Sequence, residues 1–111
     1  MEISQKQKNS QVIRFSIKNE KNAEVGRAFL YIIFNEIHEQ PYGYIEDVFI
    51  DKKYRDMSYG TKLIQKILKT AKEKGCYKVV ASSRNSRYQV HNFYLKLGFL
   101  EYGKEFRVNM L

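Results

Sequence analysis

A chain of 111 residues has room for one domain, and 43% apolar against 29% charged residues is the balance of an ordinary globular protein, not of a disordered one. A single cysteine excludes an internal disulfide and a zinc knuckle, and no apolar run approaches the roughly 20 residues of a membrane helix, so a cytoplasmic protein without a membrane partner is expected. The formal net charge of +8 fits an anionic cofactor, an acidic substrate or nucleic acid, or simply a lysine-rich surface.

In chain order, residues 1–11 read as a flexible polar arm with no signal peptide, and residues 12–111 as a single domain. Val12, Phe15 and Ile17 open a strand over 12–18, closed by the turn Asn19-Glu20-Lys21-Asn22. A second strand runs from Glu24 to about Ile37, close enough to the first for an antiparallel hairpin. Pro41 and Gly43 break the chain before a third strand over 44–50. After a basic turn, Leu63, Ile64, Ile67, Leu68 and Ala71 mark one face of a helix, and Gly75 is its stop. The apolar run 77–81 is then a buried parallel strand, which makes a βαβ unit. A polar loop, 82–87, leads into a second helix over 88–97, stopped by Gly98. One or two closing strands are expected over 99–111, broken at Gly103. The fold class is α/β with a mixed sheet and two main helices.

The strand-turn-helix over 44–74 organises the rest. A helix that begins directly after a strand presents unpaired backbone N–H groups, where an anion can sit. Strict alternation puts Tyr44, Glu46, Val48 and Ile50 on one face of the strand and Ile45, Asp47 and Phe49 on the other. Two adjacent acids in a central strand need a task or a partner, and Arg84 or Arg87 is a candidate partner. The lysines at 62, 66, 69 and 72 read as a solvated helix face, and Cys76 as a small hydrophobe. His38 reads as a loop residue and His91 as structural.

The segment IEDVFIDKKYRDMSYGTKLI, followed by HNFYLKLGF, resembles the GCN5-related N-acetyltransferases, abbreviated GNAT. The family turn Arg/Gln-x-x-Gly-x-Gly/Ala reads here Arg55-Asp56-Met57-Ser58-Tyr59-Gly60, with Ser58 in the place of the first Gly. Phe93-Tyr94-x-x-Leu97-Gly98-Phe99 is similar to the family's FY-x-x-LGF ending. Cys76-Tyr77-Lys78 and Ile45-Glu46-Asp47 are similar to its glucosamine-phosphate acetyltransferase branch. The match covers residues 26–99.

The resemblance implies a GNAT-like fold around a central, mostly antiparallel sheet, with acetyl-CoA as co-substrate and no metal. It implies that the backbone of Val48, Phe49 and Ile50 pairs with the pantetheine arm. Amides over Arg55, Asp56, Met57, Ser58, Tyr59, Gly60 and Thr61 then hold the pyrophosphate, with Asn85 and Asn92 completing the cofactor set. Ser58 fits the turn if its φ stays negative, and its hydroxyl can then donate to a phosphate. Tyr94 is the implied proton donor to the leaving sulfur, since a phenol with pKa near 10 can protonate a thiolate. Glu46, with Asp47 behind it, is the candidate base, because an amine acceptor must lose a proton at neutral pH. Arg87 stands where the family often has Asn; it grips an acidic acceptor or is a solvated charge.

Family members usually carry a strand and one or two helices ahead of the central hairpin, where this sequence has an eleven-residue polar arm. An acceptor pocket that is open, or completed by a second subunit, is therefore expected, and the aromatic closing strands add to the case for a homodimer. The expected function is direct acetyl transfer to a primary amine on a small molecule or peptide. The alternative is a catalytically weakened relative that binds CoA or nucleic acid. Against nucleic acid, the basic residues are spread along the chain without aromatic interleaving.

Overall fold

The computed structural model describes all of residues 1–111, which divide into two compact units, 1–81 and 82–111. The first unit holds strands β1 (Gln11–Lys18), β2 (Glu24–Ile33), β3 (Tyr42–Ile50) and β4 (Val79–Ala81), with helix α1 (Tyr59–Glu73) between β3 and β4. The sheet order is β1-β2-β3-β4. The first two pairings are antiparallel and the third is parallel. The hairpin turn is built by Asn19, whose side-chain oxygen accepts from the N–H groups of Lys21 and Ala23.

One face of this sheet makes the core. Ala28, Leu30 and Ile32 alternate along β2 with no exposed surface, and Ile45 of β3 is nearly as buried. Leu63, Ile64, Ile67 and Ala71 of α1 cover them, at the spacing of one helix stripe. Each such large side chain removed from water stabilises the fold by about 1.5–3 kcal/mol before ordering costs. α1 ends in a Schellman motif. Gly75, at φ +79°, donates to Lys72 O, and Cys76 N–H donates to Ala71 O. Burial raises the Cys76 thiol pKa, as expected of a packed thiol that is not a nucleophile.

Four strand boundaries differ from the sequence-based expectation. β3 begins at Tyr42 and includes Gly43, expected as a breaker, because an added Cβ there would come within 3.0 Å of Leu30. β2 stops at Ile33 instead of about Ile37, because Asn35 turns its side-chain oxygen onto the Ile37 N–H and offers the backbone a local alternative. Residues 77 and 78 stay outside β4, although Tyr77 N–H donates to Pro41 O and Gly43 N–H to Lys78 O. β1 starts at Gln11, and the ten residues before it carry no regular structure.

The second unit is the loop after β4, helix α2 (Tyr88–Lys96) and a C-terminal segment. The expected closing strands do not form: residues 99–111 have no regular structure. Beyond the half-buried Phe99 their apolar residues lie in water, with Leu100 at 83%, Tyr102 at 96% and Phe106 at 90% exposure. Alternation marks a segment that can be a strand; only a partner with free N–H and C=O groups makes it one. No helix in the chain is long and apolar enough to cross a membrane.

Candidate active site

β3 loses its pairing with β4 and shifts its register with β2 where its two acids lie. Phe29 of β2 faces Glu46 and Arg27 faces Phe49, so one β2 residue, Ala28, spans two on β3. This is a β-bulge, and Asp47 occupies it at φ +55°. The bulge overturns the strict alternation expected from the sequence. Tyr44, Glu46 and Phe49 share the face away from α1, while Ile45, Val48 and Ile50 share the face toward it. Both carboxylates are exposed, and both are on the outer face. Tyr31 OH donates to Glu46 at 3.3 Å, and burial followed by the nearby Glu46 charge raises the Tyr31 pKa. Asp47 takes a fork from Arg27, at 2.9 Å from Nε and 3.4 Å from Nη2. That hydrogen-bonded guanidinium lowers the Asp47 pKa.

Beyond the bulge the sheet opens. The parallel pairing of β3 with β4 covers Gly43, Tyr44 and Ile45 and ends there, against Ala81. On that side residues 46–50 of β3 form a sheet edge, where the N–H and C=O groups that do not face β2 point outward for a further extended partner.

The chain then enters the turn directly. A 3-10 turn, Lys52–Tyr54, is followed by Asp56 at φ +65° and Ser58 at φ +63°, ψ 14°. Ser58 thus does not keep a negative φ and takes the left-handed conformation for which Gly is favoured. Arg55 Nε–H donates back to Ile50 O at 2.9 Å. Tyr54 stacks on Tyr59, with centroids 5.7 Å apart, and its hydroxyl accepts from Asn19 Nδ2 at 3.1 Å. Lys62 N–H to Ser58 O is the first bond of α1, so the amides of Tyr59, Gly60 and Thr61 precede the intrahelical ladder. The first turn of α1 carries no acidic side chain, which leaves the positive end of the helix dipole unneutralised.

The first unit therefore joins Glu46, Asp47, residues 48–50 and residues 55–61 in one continuous strand-turn-helix. Asn85, Asn92 and Tyr94 belong to the second unit, where the two asparagines are exposed. Tyr94 is held by the end of α2. Gly98, at φ +95°, donates to Leu95 O, and Phe99 N–H donates to Tyr94 O in a second Schellman motif. The hydrophobic contact that accompanies this motif is the Tyr94–Phe99 ring pair at 5.0 Å, and Phe93 meets the same tyrosine at 5.4 Å. Much of the spacing of FY-x-x-LGF is thus helix-stop chemistry. His91 is bonded to Arg84 O at 2.8 Å and ties α2 to its entry loop. Arg27 and Tyr31, the partners of the two acids, were not singled out in the sequence. They lie four apart on one strand face, yet only the register shows what they oppose.

The family model for the Acetyltransferase (GNAT) family matches residues 5–99. The chain belongs to this family. A glucosamine 6-phosphate N-acetyltransferase from Trypanosoma brucei brucei is 37% identical over 68 residues, which are 61% of this chain and 44% of that relative. Glucosamine 6-phosphate N-acetyltransferase 1 of Oryza sativa subsp. japonica is 34% identical over 59 residues, or 53% of this chain and 34% of that one. The chain thus spans less than half the length of these curated relatives. Among solved structures, a Trypanosoma brucei acetyltransferase superposes with a TM-score of 0.78 at 29% identity, over 89% of this chain and 69% of that one. The four-stranded mixed sheet and its two helices are accordingly those of a GNAT domain.

Proposed function

We propose that this GNAT chain transfers the acetyl group of acetyl-CoA to the primary amine of a small molecule. One observation carries the reading: the freed edge of β3 runs without a break into a turn that ends at the open amides of α1. The residues present fit the co-substrate. An extended amide-rich arm needs a strand edge, and a pyrophosphate needs converging N–H groups with positive charge nearby. Bound there, acetyl-CoA supplies an activated acyl group. The backbone of Val48, Phe49 and Ile50 pairs with its arm, and the amides of Tyr59, Gly60 and Thr61 take its phosphates.

Glu46 is the base in this reading. It accepts from a neutral phenol, whereas Asp47 is engaged by a guanidinium that disfavours proton uptake. Tyr94 protonates the leaving thiolate. The names of the two curated relatives favour an acceptor of the amino-sugar phosphate class, and a net charge of +8 suits an anionic acceptor as well as an anionic co-substrate. A cytoplasmic location and a homodimer belong to the same proposal; the exposed alternation of residues 100–110 supports the second.

The test has two steps. Millimolar acetyl-CoA is expected to raise the melting midpoint, and no shift would remove the enzyme reading and its CoA-binding variant together. Thiol release is then compared with glucosamine 6-phosphate and glucosamine as acceptors. A phosphate-dependent rate supports the acceptor class, and a rate indifferent to the phosphate overturns it. Tyr94→Phe should keep the acetyl-CoA shift and slow turnover by about tenfold to a hundredfold or more, the usual range for a lost general acid.

A further inference from the structure

We propose that Arg27 is a positioning residue: its fork on Asp47 locks the bulge that sets which groups β3 presents along the proposed acetyl-CoA edge. The inference rests on the acetyltransferase reading for its effect on binding, and has a structural readout that does not.

Four observations meet at this point. Asp47 is a strand residue at φ +55°, a conformation that is rare within a strand, that Asp tolerates better than most residues, and that a neighbour can hold. The neighbour is Arg27, with two of its guanidinium nitrogens on the two Asp47 oxygens. The same guanidinium is 4.7 Å from the centre of the Phe49 ring, the residue directly opposite it in the register. Arg55 is 5.8 Å from the same ring and holds the carbonyl of Ile50. Arg27 therefore grips β3 on both sides of Val48, at the bulge and one residue past it, and Arg55 holds the next residue.

The pair is partly exposed, with about a third of Arg27 and half of Asp47 in water, so its effect is modest and is read at the bulge and not in global stability. What it can do is choose between two backbones. Without the fork, the left-handed Asp47 loses the contact that favours it over an extended φ, and each excursion to that φ works against the pairing of Phe49 and Ile50 with β2. The edge would then present the wrong set of amides to a pantetheine arm. An acid here that is engaged by Arg27 thus has a task other than catalysis, while Glu46, one residue earlier, stays outside the fork.

The experiment measures amide hydrogen exchange in the free protein, followed by steady-state kinetics. Arg27→Met should speed exchange at residues 47–50 about tenfold relative to the wild type while leaving the Ala28, Leu30 and Ile32 amides unchanged. It should also raise KM for acetyl-CoA about tenfold with kcat within about twofold. Arg27→Lys keeps the charge without the fork and should fall between the two. Asp47→Asn keeps an acceptor and tolerance for the left-handed conformation, and should stay closest to the wild type. Unchanged exchange at 47–50 in Arg27→Met overturns the lock. Loss confined to kcat overturns the positioning role. A wild type that fails to bind acetyl-CoA overturns the enzyme reading instead, and the exchange data still decide the lock.

Discussion

Ser58 sits where glycine would be at ease. At φ +63° its Cβ crowds the backbone, a cost of roughly 1–2 kcal/mol that glycine avoids. Part of the gain from removing it is offset by the greater freedom of glycine in the unfolded chain. Ser58→Gly should therefore stabilise the protein by about 0.5–1 kcal/mol, seen as a higher urea midpoint with an unchanged slope. Ser58→Val should lower the midpoint, because a β-branched side chain tolerates this φ worse. Glu24 contributes to the acid side of stability. Its carboxyl accepts from Arg14 and, at 2.7 Å, from Ser16, and these bonds lower its pKa from 4.5 to about 2. A pKa depressed by folding stabilises above the unfolded value and stops doing so as pH falls through the folded one. Arg14→Ala should thus cost stability at neutral pH, and the difference from wild type should fade between pH 4.5 and about 2 in urea melts across that range.

At the scale of elements, α1 was readable because its stripe and its stop are both local. Of the five residues that repeat at helix spacing in the sequence, Leu63, Ile64, Ile67 and Ala71 are buried in the structure, and Leu68 is half-buried at the margin of the stripe. Ile67 is fully buried against the sheet, so Ile67→Ala should cost about 2–5 kcal/mol, measured as a fall in urea midpoint. Strand β3 was readable as a strand and misread as a surface. Its alternation breaks at Asp47, and nothing in the side chains of residues 44–50 announces an extra residue. A bulge is a relation between two strands, visible only once Arg27 is set opposite Phe49. The tenure of the two acids follows from it. Glu46 and Asp47 face the same way, and it is Arg27 that separates their chemistry.

For the whole molecule, the C-terminal segment is the feature without a settled place. Leu100, Tyr102, Phe106, Val108 and Met110 are all at least 79% exposed, at the even spacing of a strand with one apolar face. A row like this calls for a cover, and a second copy of the chain offers an identical one, as a two-fold dimer requires. Sedimentation at tens of micromolar should give a dimer mass, and Tyr102→Ser with Phe106→Ser should return the monomer. A monomeric wild type at that concentration would remove this part of the proposal.

The sequence by itself determined the family, the element order and the strand-turn-helix at the centre, because hydrophobic period, helix stops and motif spacing are local properties of the chain. It also singled out Ser58 as the odd residue of the turn. Only the tertiary structure decided that Ser58 is left-handed, that β3 is bulged, and that residues 99–111 do not pair as strands. Each of these depends on what lies opposite a residue, and pairing across strands is fixed by register and packing between segments far apart in the chain.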